Sequence, residues 1–278
     1  MKNAHKRPAK WSIVRHVVQC LFIALFFLPL VVSAHDGAVL FFGSRSSTTV
    51  FGLSLLDPFA ALQTIVAAKS FPLSLLAGAA PLLIFYALVR GRAFCGWFCP
   101  VGFLVEITSW IRTRLGIKDA DWHLNRHAKI IVAGIILLLS ALVSVPVFEI
   151  FTPVSALNKL ILFGAAGGLW TLVAVIVLEL FAGGRIWCRS LCPLGGFYET
   201  IGRTGFISVK IDQNACTHCD NCKDVCLADP AILNASIDGT ASHVIAGDCM
   251  LCGKCIDTCP TEALAFKVIV PRALGGHK

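Results

Sequence analysis

Four stretches of the chain carry no charged residue and few polar ones: about Val17 to Ala34, Phe71 to Val89, Ile130 to Phe148 and Ile161 to Leu178. Each is long enough to cross a hydrocarbon core as a helix, which takes roughly 17 to 25 residues. Pro29, Pro81 and Pro146 lie inside them, which membrane helices tolerate where neighbouring groups satisfy the freed carbonyl. From about Ser208 to Val270 the pattern changes to polar, turn-rich sequence without continuous apolar runs, as in a small soluble appendage. The pattern predicts an α-helical membrane protein with four transmembrane helices, followed by a separate small domain.

Composition agrees with that division. Hydrophobic residues make up 56% of the 278 and charged residues only 14%, an apolar balance beyond that of an average soluble domain. Lys and Arg number five in residues 1 to 16, two in 35 to 70, seven in 90 to 129, one in 149 to 160 and nine from 179 onward. This alternation is the positive-inside pattern, and it predicts a multi-pass protein of a bacterial inner membrane with both termini cytoplasmic. The net charge of +8 comes from these short loops and not from one basic stripe, so no nucleic acid is expected as a partner.

The two halves of the apolar region repeat each other, over about 17–102 and 130–195. Arg92-Ala-Phe-Cys95-Gly-Trp-Phe-Cys99-Pro100-Val-Gly102 recurs as Arg185-Ile-Trp-Cys188-Arg-Ser-Leu-Cys192-Pro193-Leu-Gly195 at an offset of 93. A weaker echo relates Asp57-Pro58-Phe59-Ala60-Ala61-Leu62-Gln63 to Thr152-Pro153-Val154-Ser155-Ala156-Leu157-Asn158 at an offset of 95. Two repeated hairpins, related by an axis along the membrane normal, are expected. The predicted boundaries are 1–205 for this four-span domain and 206–278 for the appendage.

Eight of the thirteen cysteines fall in the appendage, as Cys216-x2-Cys219-x2-Cys222-x3-Cys226 and Cys249-x2-Cys252-x2-Cys255-x3-Cys259-Pro260. This is the bacterial ferredoxin run written twice, in which three thiolates wrap one cubane and the fourth serves the other. The spacing therefore assigns Cys216, Cys219, Cys222 and Cys259 to a first [4Fe-4S] cluster. Cys249, Cys252, Cys255 and Cys226 form the second. Zinc also takes four cysteines at two-residue spacing, but two overlapping runs point to iron. The predicted domain is a small α+β, bacterial-type 2[4Fe-4S] ferredoxin, with one departure: Leu227 stands where a proline would follow Cys226. His218, between ligands, reads as a loop side chain and not as a ligand.

Cys95 with Cys99, and Cys188 with Cys192, follow the second and fourth apolar stretches. Three readings stand: a third metal or iron–sulfur site of four thiolates, redox-active thiol pairs, or thiols that pack. Arg92 and Arg185 beside them favour thiolate formation under either active reading.

Four spans, two Cys-x3-Cys-Pro motifs and a double-cluster tail together resemble the NapH family, the membrane component of quinol dehydrogenases that serve periplasmic nitrate reductases. The resemblance covers nearly the whole chain. It implies an electron-transfer subunit that takes electrons from the quinol pool and passes them toward a periplasmic ferredoxin-type, NapG-like partner, a c-type cytochrome and the reductase. The same architecture resembles membrane polyferredoxins that reduce metals or assist cofactor assembly of respiratory enzymes, which is the alternative function. Quinol oxidation needs proton acceptors. Asp57, Gln63, Glu149 and Asn158 on one side of the apolar region and Glu106 and Glu179 on the other are the candidates. Asp57 before Pro58 reads equally as a helix cap, and Glu106 as a partner of Arg112.

Overall fold

The structure is a computed structural model that describes residues 9–33, 41–43, 47–50, 53–117, 124–157 and 168–269. Asn158 lies outside the described residues. The chain divides into two compact units. One comprises Met1–Gln19, Tyr86–Phe98 and Tyr198–Lys278; the other comprises Cys20–Phe85 and Cys99–Phe197.

The larger unit is built of helices whose ends are written in the sequence. Pro58–Ala68 begins with Pro at its first turn, and the Asp57 carboxylate accepts from the Phe59 and Ala60 N–H groups at 3.1 and 3.0 Å. These are the orphan donors that a cap satisfies. The helix ends at Lys69 in the left-handed region, φ 51°. Pro100–Leu115 likewise starts on a proline and stops at Gly116, φ 69°, whose N–H reaches back to the Arg112 and Thr113 carbonyls. Pro58–Ala68 packs on Ala128–Val143, and Pro100–Leu115 on Leu169–Phe181. Phe59, 1% exposed, lies at the centre of an aromatic cluster with Phe148 and Phe197, centroids 5.8 and 5.3 Å away. A three-stranded antiparallel meander, Phe41–Gly43, Ser47–Val50 and Leu53–Leu56, precedes these helices. The charge pattern predicts only a loop there.

The internal repeat is expressed in the backbone of this unit. Ala61 N–H donates to the Asp57 carbonyl at 2.9 Å, and Ala156 N–H to the Thr152 carbonyl at 3.0 Å, the same helix start at an offset of 95. Cys99 and Cys192 share extended backbone, ψ 118° and 113°, each ahead of a proline that opens the next helix. Proline disfavours helical geometry in the residue before it, and each motif breaks there.

The four predicted transmembrane helices are not seen. Among the described residues no helix is both long and apolar enough to cross a membrane. The helix Leu73–Val89 has 17 residues, Ala128–Val143 has 16 and Leu169–Phe181 has 13. At ~1.5 Å per residue the latter two reach about 24 and 20 Å, short of the ~30 Å hydrocarbon core. The third stretch is broken by Ser144, φ 58°, so that Phe148 belongs to the next short helix, Val147–Phe151. The first lies in a longer helix, Lys10–Ser33, but this includes Lys10 and Arg15, and Arg15 and Gln19 are buried at 1% exposure. Uncharged length alone did not reveal these interruptions.

The smaller unit is α+β. Strands Ile207–Ile211 and Leu264–Val268 pair antiparallel, with Ile207 opposite Val268 and Ile211 opposite Leu264. Val209, Ile211, Val244, Leu233 and Ile237 form its core together with several of the cysteines. The N-terminal helix is tied into this unit. The Asp257 carboxylate accepts from the Trp11 and Ser12 N–H groups at 3.1 and 2.9 Å, and Trp11 stacks edge-on against Phe266 at 4.8 Å. A carboxylate at exposed helix N–H groups both caps them and meets the positive end of the helix dipole.

Gly91 runs so close to the Tyr198 carbonyl that a methyl group there would overlap it, whereas a methyl on Gly134, inside a helix, meets nothing within 4 Å. Gly91→Ala should therefore lower stability by about 1–3 kcal/mol. Gly134→Ala should raise it by about 0.5–1 kcal/mol. Denaturant midpoints of the two variants provide the check, and equal shifts would contradict the close approach.

Candidate iron–sulfur sites

The eight cysteines of the two runs line two cavities. One is lined by Cys216, Cys219, Cys222 and Cys259, with His218, Thr261 and Leu264 among its other walls. The second is lined by Cys226, Cys249, Cys252 and Cys255, with Val209, Val244 and Met250. In each, three cysteines come from one run and the fourth from the other run.

Both runs wind identically. His218 and Asp220, on either side of Cys219, sit in the left-handed region at φ 50° and 57°; Leu251 and Gly253, on either side of Cys252, do so at 50° and 73°. Alternation of right- and left-handed residues turns successive N–H groups to one side and forms a concave nest for negative charge, as at many iron–sulfur sites. His218 is exposed, as a loop side chain. The turn before the fourth cysteine is also the same in both. Cys226 N–H donates to the Lys223 carbonyl at 3.1 Å, and Cys259 N–H to the Ile256 carbonyl at 3.3 Å. Leu227, buried at 4%, thus does not alter the turn that proline follows in the other run.

Burial pushes the Cys226 thiol up to about 12, with the charges of Cys252 and Cys249 adding to the effect. Cys255 is raised well above its ordinary value, again by burial first and then by Cys252, Cys249 and Cys226. Cys222 and Cys252 are raised too, chiefly by burial. Four thiolates cannot share such a cavity without a compensating cation, and a coordinating metal deprotonates a thiol outright. Among the described residues no three His, Cys, Asp or Glu side chains lie close enough to hold a single metal ion. The donor set, the nests and the cavities together fit a multinuclear iron–sulfur cluster, which each set of four cysteines would hold.

Of the Cys-x3-Cys-Pro pairs, Cys95 and Cys99 fall in different units and Cys188 and Cys192 in the same one. Cys95, in the short helix Ala93–Trp97, packs on the ferredoxin core of the smaller unit, whereas Cys99, Cys188 and Cys192 belong to the larger. Cys188 lies in a π-helical turn, Trp187–Leu191. The two motif arginines pair with carboxylates: Arg92 with Asp248 at 2.6 Å, both 1% exposed, and Arg185 with Glu106 at 3.9 Å.

Of the proton-acceptor candidates, Asp57 is the cap described above. Gln63, fully buried, accepts the Phe148 N–H at 3.1 Å and so joins two helices, next to half-buried Glu149. Glu106 faces Arg185. Glu179, 2% exposed, accepts the Trp187 N–H at 2.8 Å through one oxygen, while the other oxygen is buried without a hydrogen-bond partner. Burial raises its pKa to about 7, against the opposing pull of the Trp187 N–H and of Arg185 and Arg112.

Sequence reading missed Arg90, Asp248 and Trp11. Arg90 left one signal, since the repeat partner 93 residues on is Gly183, so that this arginine breaks the repeat beside the first Cys-x3-Cys-Pro motif.

Comparison with known proteins decides the family. The family described as 4Fe-4S binding domain matches twice, over residues 71–118 and 163–212, once on each copy of the repeat. The 4Fe-4S dicluster domain matches residues 208–263. The ferredoxin-type protein NapH of Escherichia coli is 28% identical over 95% of this chain and 92% of its own length. That of Haemophilus influenzae is 32% identical over 77% and 75%. The chain belongs to the NapH family of ferredoxin-type proteins. It is also similar to the methylamine utilization ferredoxin-type protein MauN of Methylorubrum extorquens, 36% identical over 92% of this chain and 88% of that protein. No solved structure matches. A ferredoxin-type 4Fe-4S protein of this family transfers electrons.

Because Glu179 has a folded pKa near 7 against an ordinary 4.5, the folded state binds the extra proton between those values. Its contribution favours the fold below pH ~4.5 and is lost as pH rises through ~7, about 3 kcal/mol in all. Urea midpoints measured from pH 5 to 8 should fall less steeply for Glu179→Gln than for the wild type. Parallel slopes would exclude Glu179 as the titrating group.

Proposed function

We propose that this protein is a two-cluster electron relay that takes electrons from quinol and passes them toward an oxidoreductase system, in the manner implied by its NapH resemblance. The observation that carries the reading is the pair of cavities, each lined by four cysteines drawn three and one from two runs. Cys216, Cys219, Cys222 and Cys259 would hold one [4Fe-4S] cluster and Cys226, Cys249, Cys252 and Cys255 the other. When bound, each cluster supplies one-electron redox chemistry.

Quinol oxidation releases two electrons and two protons, so the two-electron capacity of two clusters matches it. The chain's own part is to receive protons. Glu179 suits that role, with a buried oxygen lacking a partner and a pKa close to neutrality. Arg185 and Arg112 face it and would stabilise its ionised form before a proton arrives. A NapG-like partner, a c-type cytochrome and a nitrate reductase are the recipients implied by the family. Identity of 36% to a methylamine utilization protein supports a second destination, a methylamine-oxidising system. A deletion strain that loses growth on methylamine, and not nitrate respiration, would select the latter.

Two experiments test the relay. Anaerobically purified protein should contain about eight irons. The count should hold when Cys95, Cys99, Cys188 and Cys192 are replaced by serine; a fall would place a further cluster on those thiols. Addition of menadiol should bleach the cluster absorbance and bring up a reduced-cluster resonance, about a hundredfold more slowly in Glu179→Gln, the low end of what one general base contributes. Clusters that menadiol leaves oxidised would end the quinol reading.

A further inference from the structure

Arg90 is 1% exposed, among the most completely buried large side chains described. Its five N–H donors are all spent. Nε donates to the Gly202 carbonyl at 3.3 Å; one terminal nitrogen donates to the Ile207 carbonyl at 3.2 Å and the Ser208 hydroxyl at 2.8 Å. The other donates to the Val244 and Ile245 carbonyls at 3.1 and 3.3 Å. Every acceptor is neutral. Arg92, two residues on, is a contrasting case, because Asp248 pairs with it directly.

A buried charge satisfied in hydrogen bonds yet not neutralised is expensive unless an anion lies near. The acceptors show where that anion is. Val244 forms a wall of the second cavity, and the carbonyl of Ala246, next to Ile245, accepts the Cys249 N–H at 3.3 Å. Burial lowers the Arg90 pKa, and the Cys249 charge is what opposes that fall. Arg15 and Lys254 also face this set through Cys252, while the Asp229 carboxylate faces Cys226. Asp229 is partly occupied as the cap of the Ala231 N–H at 2.9 Å. In the first cavity the largest influences on Cys222, apart from burial and its own backbone, are other cysteines.

We infer that Arg90 is a buried counter-charge for the cluster held by Cys226, Cys249, Cys252 and Cys255, raising its reduction potential above that of the other cluster and making it the resting place of the first electron. This rests on the cluster reading above. Reduction adds one negative charge to a cluster already carrying four thiolates, and a fixed cation at short range in a low dielectric stabilises the reduced state more than the oxidised one. No atoms move. Arg90 acts on the cluster through the field it applies, so it is a potential-setting residue and not a catalytic one.

The test is a redox titration of the full-length holoprotein, followed by electron paramagnetic resonance, on wild type, Arg90→Gln and Arg90→Lys, with iron counted on each sample. In wild type the two clusters should titrate at separate midpoints. Arg90→Gln should move the higher midpoint down by about 59 mV or more, a tenfold change in the reduced-to-oxidised ratio, and leave the lower one in place. Arg90→Lys, which keeps the charge but loses the fork, should stay near wild type. Loss of iron from Arg90→Gln that Arg90→Lys prevents would equally mark the charge as what matters. Unchanged midpoints in an iron-replete Arg90→Gln would overturn the inference. So would equal shifts in both variants, or loss of the cluster from both, since hydrogen bonding and not charge would then be the contribution. Fewer than two clusters in wild type itself would fault the cluster reading, which the iron count distinguishes from failure of the Arg90 role.

Discussion

A single buried guanidinium ties together segments that the sequence places far apart. The five hydrogen bonds of Arg90 reach Gly202 at the end of one helix, Ile207 and Ser208 at the start of a strand, and Val244 and Ile245 in the loop that leads to the second cysteine run. Five acceptors facing one planar fork leave little freedom to any of them, and burial removes the competing water. Around that point Phe206 N–H meets the Leu88 carbonyl at 2.8 Å and Arg92 pairs with Asp248. The Tyr86–Phe98 segment thus becomes part of the ferredoxin unit and not a linker to it.

The cluster sites depend on the same economy of backbone. Left-handed residues on either side of Cys219 and Cys252 fold each run around a cavity, and Gly253 meets two demands at once. Its φ of 73° suits glycine, and Trp11 from the N-terminal helix lies where a side chain would stand. Trp97 Nε1 donates to the Leu251 carbonyl at 2.9 Å, beside the same turn. Aromatic side chains from two distant segments therefore brace one cysteine run. The thiols of that run are raised by burial and by one another, a state that only a cationic core relieves.

In the larger unit an acidic group is buried by the same helices that bring arginines to it. Glu179 is covered because its helix, Leu169–Phe181, packs on Pro100–Leu115, which carries Glu106 and Arg112. The π-helical turn that follows presents the Trp187 N–H to its carboxylate. Such widened turns leave a residue out of the regular ladder and often occur at functional sites.

The sequence by itself determined whatever depends on local spacing. Two cysteine runs, the cap at Asp57-Pro58 and the repeat at offsets of 93 and 95 could all be read directly, because capping and cysteine spacing act over a few residues. Tertiary structure decided what depends on where chains meet. Uncharged runs looked like four membrane spans until Ser144 and the short helix of Leu169–Phe181 set their real lengths. Nothing local marks Trp11 as a brace for Gly253, Asp257 as a cap for the first helix 246 residues away, or Arg90 as the hub of three segments. Those roles come from burial and from long-range hydrogen bonds, whose partners a linear pattern does not carry.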